Sequence, residues 1–175
     1  HKVPVGRDQV QHIEMAREIA GHMNHHYKRK FVLPEAIVGE STAVLNGLDG
    51  RKMSKSYDNT IPLFVPEKKL LKLVRKIKTN SLEPGEPKDP DTCTLFQIYA
   101  AFADATQIEV KRQQYADGAG WGDLKNELFE FLNVHLKDPR ERYNALIEDP
   151  AFIEKELLKG AEKARAEAAP FLTTI

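Results

Sequence analysis

The stretch Val3-Pro4-Val5-Gly6-Arg7-Asp8-Gln9-Val10 reads as a short apolar strand, a glycine turn and the start of a helix. Asp8 is the expected N-cap of a helix over 9–24. Inside it Val10, Ile13, Ala16, Ala20 and Met23 recur at helical spacing, which predicts one apolar face. No helix or capping signal precedes His1, so the chain is expected to begin inside an α/β unit. In an open α/β sheet, ligands gather at the carboxyl ends of strands. Gly6 allows a ligand close to the backbone, and the positive end of the helix dipole points at the same spot. Gln9 offers an amide donor and an acceptor suited to a zwitterionic amino acid. A lone strand–glycine–helix turn is more often an ordinary connection.

Moving outward, the segment 28–64 has short apolar runs broken by Pro34, Gly39, Gly47, Asp49 and Gly50. It reads as loops with one or two short strands. From Pro66 the pattern turns helical. Leu70, Leu73, Val74 and Ile77 form an apolar face ringed by Lys68, Lys69, Lys72, Arg75, Lys76 and Lys78. The proline-rich run 81–91 predicts a loop. Further helices are expected over 95–103, 107–115, 123–136 and 151–169, with Asp138-Pro139 and Asp149-Pro150 as breaks between them. The fold class expected is mainly α: the end of a Rossmann-type α/β unit over 1–64, then a helical bundle over 65–175.

The 26 Lys and Arg balance the 26 Asp and Glu, so bulk charge gives no argument for nucleic acid. Any RNA surface must come from a local patch. The single cysteine, Cys93, excludes an internal disulfide and points to a reducing compartment. No apolar run is long enough to span a bilayer and no signal peptide is visible, so no membrane role and a cytoplasmic location are expected.

Lys52-Met53-Ser54-Lys55-Ser56 is the most informative stretch. Glycine, Asp and Asn on both sides imply a mobile loop. Arg51, Lys52 and Lys55 put three cations within five residues, beside two hydroxyls. Lysine is a compact charge on a flexible stem and can follow charge that moves on a polyphosphate. Serine hydroxyls add hydrogen bonds to the same oxygens. A basic pentapeptide alone is more often a solvated loop or a kinase site.

The flanks change that balance. Leu48-Asp49-Gly50-Arg51-Lys52-Met53-Ser54-Lys55-Ser56-Tyr57-Asp58-Asn59 resembles the KMSKS signature of the class I aminoacyl-tRNA synthetases, in its tryptophan-specific form. The opening segment resembles the Val-Pro-Val-Gly-x-Asp-Gln-x-Gln-His-x-Glu-x-x-Arg pattern of the tryptophanyl-tRNA synthetases, and every position of it matches over Val3–Arg17. The tyrosine enzymes share the Gly-x-Asp-Gln core and differ after Gln9. Weaker similarity continues through Gly120–Lys125, Pro139–Tyr143 and Gly160–Arg165.

The resemblance implies ATP-dependent activation of tryptophan and its transfer to tRNA(Trp). It implies an anticodon-binding helical domain over 65–175, homodimers of the full-length enzyme, and Mg2+ arriving with ATP and without a dedicated protein site. Lys52, Ser54 and Lys55 match catalytic positions at the leaving pyrophosphate. Met53 and Ser56 complete the ATP-binding loop. Gly6, Arg7 and Asp8 match the adenosine side, and Val44 a position beside adenine. Val5, Gly6 and Gln9 match tryptophan contacts. The family's HIGH-like motif is absent from this chain. The expectation is therefore a C-terminal fragment with half an active site, inactive alone. A non-catalytic tRNA-binding fragment and a tyrosine-specific enzyme are the alternatives.

Three further features carry weaker expectations. His22, His25 and His26, with His12 one face away, have a spacing that permits two metal ligands on one helix side, but no cysteine or carboxylate completes a zinc set. The lysines of 68–78 suit either phosphates or water. Trp121 is expected to pack a helix entry rather than to stack on a base. Arg140, Arg142, Lys163 and Arg165 are candidates for anticodon contacts.

Overall fold

The opening strand finds its partner in a second short extended run, and a helix links the two. In the computed structural model, which describes residues 1–28, 31–39 and 45–173, strand β1 (Lys2–Pro4) pairs in parallel with β2 (Glu35–Ile37). The register sets Lys2 against Glu35, Val3 against Ala36 and Pro4 against Ile37. Pro4 has no N–H to give, and Val5 N donates to Ile37 O at 3.0 Å just beyond it. Parallel neighbours need a long crossover, supplied here by α1 (Val10–Tyr27). Asn24 ties its end to the next segment, donating to Phe31 O at 3.0 Å and accepting from Phe31 N at 2.6 Å. Arg17 Nη1 donates to Pro34 O at 2.5 Å, just ahead of β2.

The expected cap at Asp8 is not formed. A 3-10 turn (Arg7–Gln9) closes through Gln9 N to Gly6 O at 2.9 Å, so the helix starts one residue later with Gln9 at its N-cap and no side-chain cap bond. The Asp8 carboxylate instead accepts from Gln9 Nε2 at 3.3 Å.

The remaining helices are α2 (Glu67–Lys76), α3 (Thr94–Ala100), α4 (Ala105–Ala116), α5 (Trp121–Ile147) and α6 (Pro150–Leu172). A reciprocal Asp104–Gln107 capping box starts α4. Asp138-Pro139, expected as a break, lies inside α5. The missing N–H of an internal proline weakens a helix. Contacts around it hold this one: Arg140 Nη2 donates to Asn133 Oδ1 at 2.8 Å, and the Phe64 and Tyr143 rings meet at 4.9 Å. The expected end of α6 at Ala169 is passed by three residues, with Pro170 in the last turn.

The core forms where α2, α3 and α5 present apolar stripes. Val65, Leu70, Val74 and Ile77 pack with Leu95, Ile98, Leu128, Phe129, Leu132 and Leu136. A second cluster joins Phe96, Tyr115 and Leu124. Burial pushes the Tyr115 hydroxyl well above the ordinary phenol range, with Cys93 Sγ 3.5 Å away. Tyr115 packs edge-on against Trp121 at 6.0 Å, so Trp121 does pack the entry of α5. Gly118 (φ +81°) is needed where the 85 and 118 backbones touch: a Cβ there would lie 2.5 Å from Gly85 C.

The chain divides into two compact units, His1–Ala43 with Glu154–Ile175, and Val44–Ile153. The domain boundary expected at 64/65 falls inside the second unit. Leu48 and Ile61 explain this, because both lean on the α2–α5 core. Among the described residues, no helix is long and apolar enough to cross a membrane.

Candidate functional site

The segment around Lys52 folds as a tight hairpin in the second unit. Asn46 and Lys52 form an antiparallel bridge, Gly47 N donates to Arg51 O at 2.7 Å, and Met53 N donates to Leu45 O at 2.9 Å. Gly50 turns the tip with φ +83°. A Cβ on Gly47 would sit 2.3 Å from Asn59 Cγ, so only glycine admits the side chain that organises this hairpin.

Asn59 is 2% exposed. Its Nδ2 donates to Asp49 Oδ1 at 2.7 Å and to Lys52 O at 3.1 Å, while its Oδ1 accepts from Ser54 N at 2.8 Å. One buried amide thus binds both arms of the hairpin. A buried amide left without such partners costs about 1–3 kcal/mol, so these bonds decide the loop's shape. Asn59 carried no weight in the sequence beyond its place in a turn-forming flank.

Charge in the hairpin is sorted. Asp49 accepts from Arg51 Nε at 2.7 Å and from Arg51 N at 3.1 Å, and the Arg51 guanidinium lies 4.4 Å from the Tyr57 ring centroid. Asn59, then Arg51, holds the Asp49 carboxyl down to about 2. The three cations expected to face a polyphosphate are therefore two: Arg51 is neutralised within the loop. Lys52 and Lys55 are exposed and take no part in an ion pair among the described residues.

Ser54 Oγ caps the 3-10 turn Lys55–Tyr57 by accepting from Ser56 N at 3.3 Å, and it lies 2.8 Å from Ser56 Oγ. Asp58 closes the turn in the left-handed region at φ +50°. The hairpin thus presents two unpaired ammonium groups and a pair of hydroxyls. Met53, between Lys52 and Ser54 in sequence, is half-buried. Such a set can bind and stabilise charge building up on phosphate oxygens.

The other expected residues lie in the first unit. Val5 and Gly6 are half-buried at the carboxyl end of β1, and Arg7, Asp8 and Gln9 are exposed on the 3-10 turn that follows. The Gln9 donor is already engaged by Asp8. A Cβ on Gly6 would meet Asp8 Oδ1 at 2.7 Å. Val44 lies outside the described residues. His22 and His26 stack at 6.5 Å, but the described residues hold no group of three ligands fit for a metal.

A family model for the class I tRNA synthetases (W and Y) matches residues 1–137. The chain belongs to that family. Within it, the chain is 54% identical to the tryptophan–tRNA ligase of Pseudomonas aeruginosa and 54% identical to that of Neisseria meningitidis. The match covers 100% of this chain and 40% of the first ligase, and 98% of this chain and 51% of the second. The crystal structure of the tryptophanyl-tRNA synthetase of Campylobacter jejuni, complexed with ADP and tryptophan, superposes with a TM-score of 0.83 at 43% identity. It covers 100% of this chain, which spans 55% of that structure.

Proposed function

We propose that this chain is the C-terminal part of a tryptophan–tRNA ligase, contributing the pyrophosphate-binding loop and the tRNA-reading helices. The observation that carries the reading is the hairpin: Lys52 and Lys55 stand exposed and, among the described residues, free of ion pairs, while Asp49 pairs with Arg51. In the reaction, a tryptophan carboxylate oxygen attacks the α-phosphorus of ATP, and the bond to pyrophosphate breaks. Lys52 and Lys55 stabilise the charge that builds on the leaving oxygens, and the Ser54 hydroxyl donates to them. Mg2+ carried on the ATP phosphates would supply further neutralisation of the same charge. Val5, Gly6 and Gln9 serve tryptophan, and Gly6, Arg7 and Asp8 the adenosine side. Turning Gln9 toward tryptophan requires release of its bond to Asp8, which at 3.3 Å is long and exposed.

The test is ATP–pyrophosphate exchange by the intact ligase, with tryptophan or tyrosine, and by this chain alone. Exchange with tryptophan only, and none from this chain, is the expected outcome. Lys55→Ala in the intact ligase is expected to lower kcat by about 10²–10³-fold, the usual cost of one transition-state charge partner. Exchange with neither amino acid sinks the reading.

A further inference from the structure

Helix α2 carries two unlike stripes. Leu70 and Val74 are buried in the α2–α5 core, at 1% and 0% exposure. Lys68, Lys72 and Lys76 repeat every four residues on the other side, and all three are exposed. At about 1.5 Å rise per residue the three span about 12 Å. They do not simply project into solvent. With Lys69 they line a cavity of about 580 Å³ whose other walls include Leu48, Thr60, Pro62 and Leu73. Asp58 is the single carboxylate on that lining. Among the described residues, none of the four lysines forms an ion pair.

This concentration of charge is local. The segment 66–78 holds six cations against Glu67 alone, in a chain whose total charge is zero. Helix α6 supplies the contrast. It also places lysines four apart, at Lys155, Lys159 and Lys163, but its four cations are matched by four glutamates, and Lys159 pairs with Glu156. Spacing of this kind is therefore compatible with a neutral solvated face. On α2 the counter-charges are missing and a concave surface is present.

We infer that the cavity lined by Lys68, Lys69, Lys72 and Lys76 is a binding site for the phosphodiester backbone of an RNA strand, beside the hairpin of Lys52 and Lys55. One strand of a nucleic acid helix presents a charge about every 3.4 Å along the axis, so 12 Å of lysines meets three or four phosphates in sequence. Thr60 adds a hydroxyl on the wall nearest the hairpin. The absence of an aromatic on the lining leaves no platform for a base, so this site grips a backbone and does not read sequence. That the RNA is tRNA rests on the ligase reading; the affinity of the cavity for an RNA backbone does not.

The test is binding of a fluorescent tRNA transcript to this chain, followed by anisotropy across a salt series. Three chains are compared: the wild type, Lys68→Ala/Lys72→Ala/Lys76→Ala, and the α6 variant Lys155→Ala/Lys159→Ala, which leaves the candidate anticodon contact Lys163 in place. Circular dichroism checks that the helices persist in each. The α2 variant is expected to bind roughly a hundredfold more weakly near 0.1 M salt, with a salt slope reduced by about two to three. The α6 variant is expected to keep both slope and affinity. Equal losses from the two variants, unchanged binding by the α2 variant, or no binding by the wild type each overturn the site. Displacement of the RNA by inorganic pyrophosphate at the same phosphate concentration also overturns it, in favour of a free-oligophosphate pocket. Failure of the ligase reading shows separately, as absent amino acid activation.

Discussion

Helices α5 and α6 look alike in the sequence and differ in what they bury. Both are long, at 27 and 23 residues, and both repeat apolar side chains at helical spacing. Helix α5 buries Leu124, Leu128, Phe129, Leu132 and Leu136. Helix α6 buries nothing, and leaves Leu157 67% and Leu158 56% exposed. The contrast extends to the units that hold them. Every buried apolar side chain of the described residues lies between Val65 and Leu136, within the second unit, whereas α1 in the first buries none. Helical periodicity specifies a face; it does not supply the surface that covers the face.

Substitutions can break or sharpen that contrast. The largest effect is expected at Leu128, 2% exposed at the centre of the α2–α5 core. Leu128→Ala is expected to cost about 3–5 kcal/mol, a loss on the order of 10 °C in Tm by calorimetry. Asn59→Ala comes next, at about 1–3 kcal/mol, felt locally in the hairpin. Amide exchange at Ser54 reads it, and an unchanged Ser54 rate means that Asn59 does not hold the loop.

Acid probes the same hairpin without mutation. The folded-state pKa of Asp49 lies below its ordinary value, so its bonds to Asn59 and Arg51 stabilise the hairpin fully above about pH 4. That contribution fades as the pH falls toward 2. Carbon-13 NMR of the Asp49 carboxyl checks this; titration at the ordinary 3.8 contradicts it. The smallest effect is expected at Leu157, where Leu157→Ala stays within about 0.5 kcal/mol. A cost approaching that of Leu128→Ala means that α6 is covered in solution.

The legible parts of the fold were those with local causes. The strand–glycine–helix opening, the two-stripe pattern of α2 and the loop over 81–91 all follow from residue types close in sequence. Proline misled at 139, because one contact beside it comes from Phe64, far away in the chain, and the other joins Asn133 to Arg140 within α5 itself. Asp8 misled because a 3-10 turn one residue long in its effect moved the helix start. In the candidate site, the Lys52–Ser56 motif announced itself, but the sorting of its charges did not. That Arg51 belongs to Asp49, and that Asn59 reaches back to Asp49, Lys52 and Ser54, depends on a chain reversal that no local pattern encodes.

The stems of the hairpin have a mechanical consequence. Leu48 and Ile61 lean on the α2–α5 core, and Lys78 N also donates to Leu48 O at 2.8 Å. Every side-chain partner of Asn59 lies between those two residues. The loop is thus braced at 48 and 61, with the Asn59 amide network between the two braces and Lys52 and Met53 tied across to Asn46 and Leu45. Lys52 and Lys55 are therefore mounted on a braced backbone, and the flexible lysine stems, not the loop, set how far their charges reach.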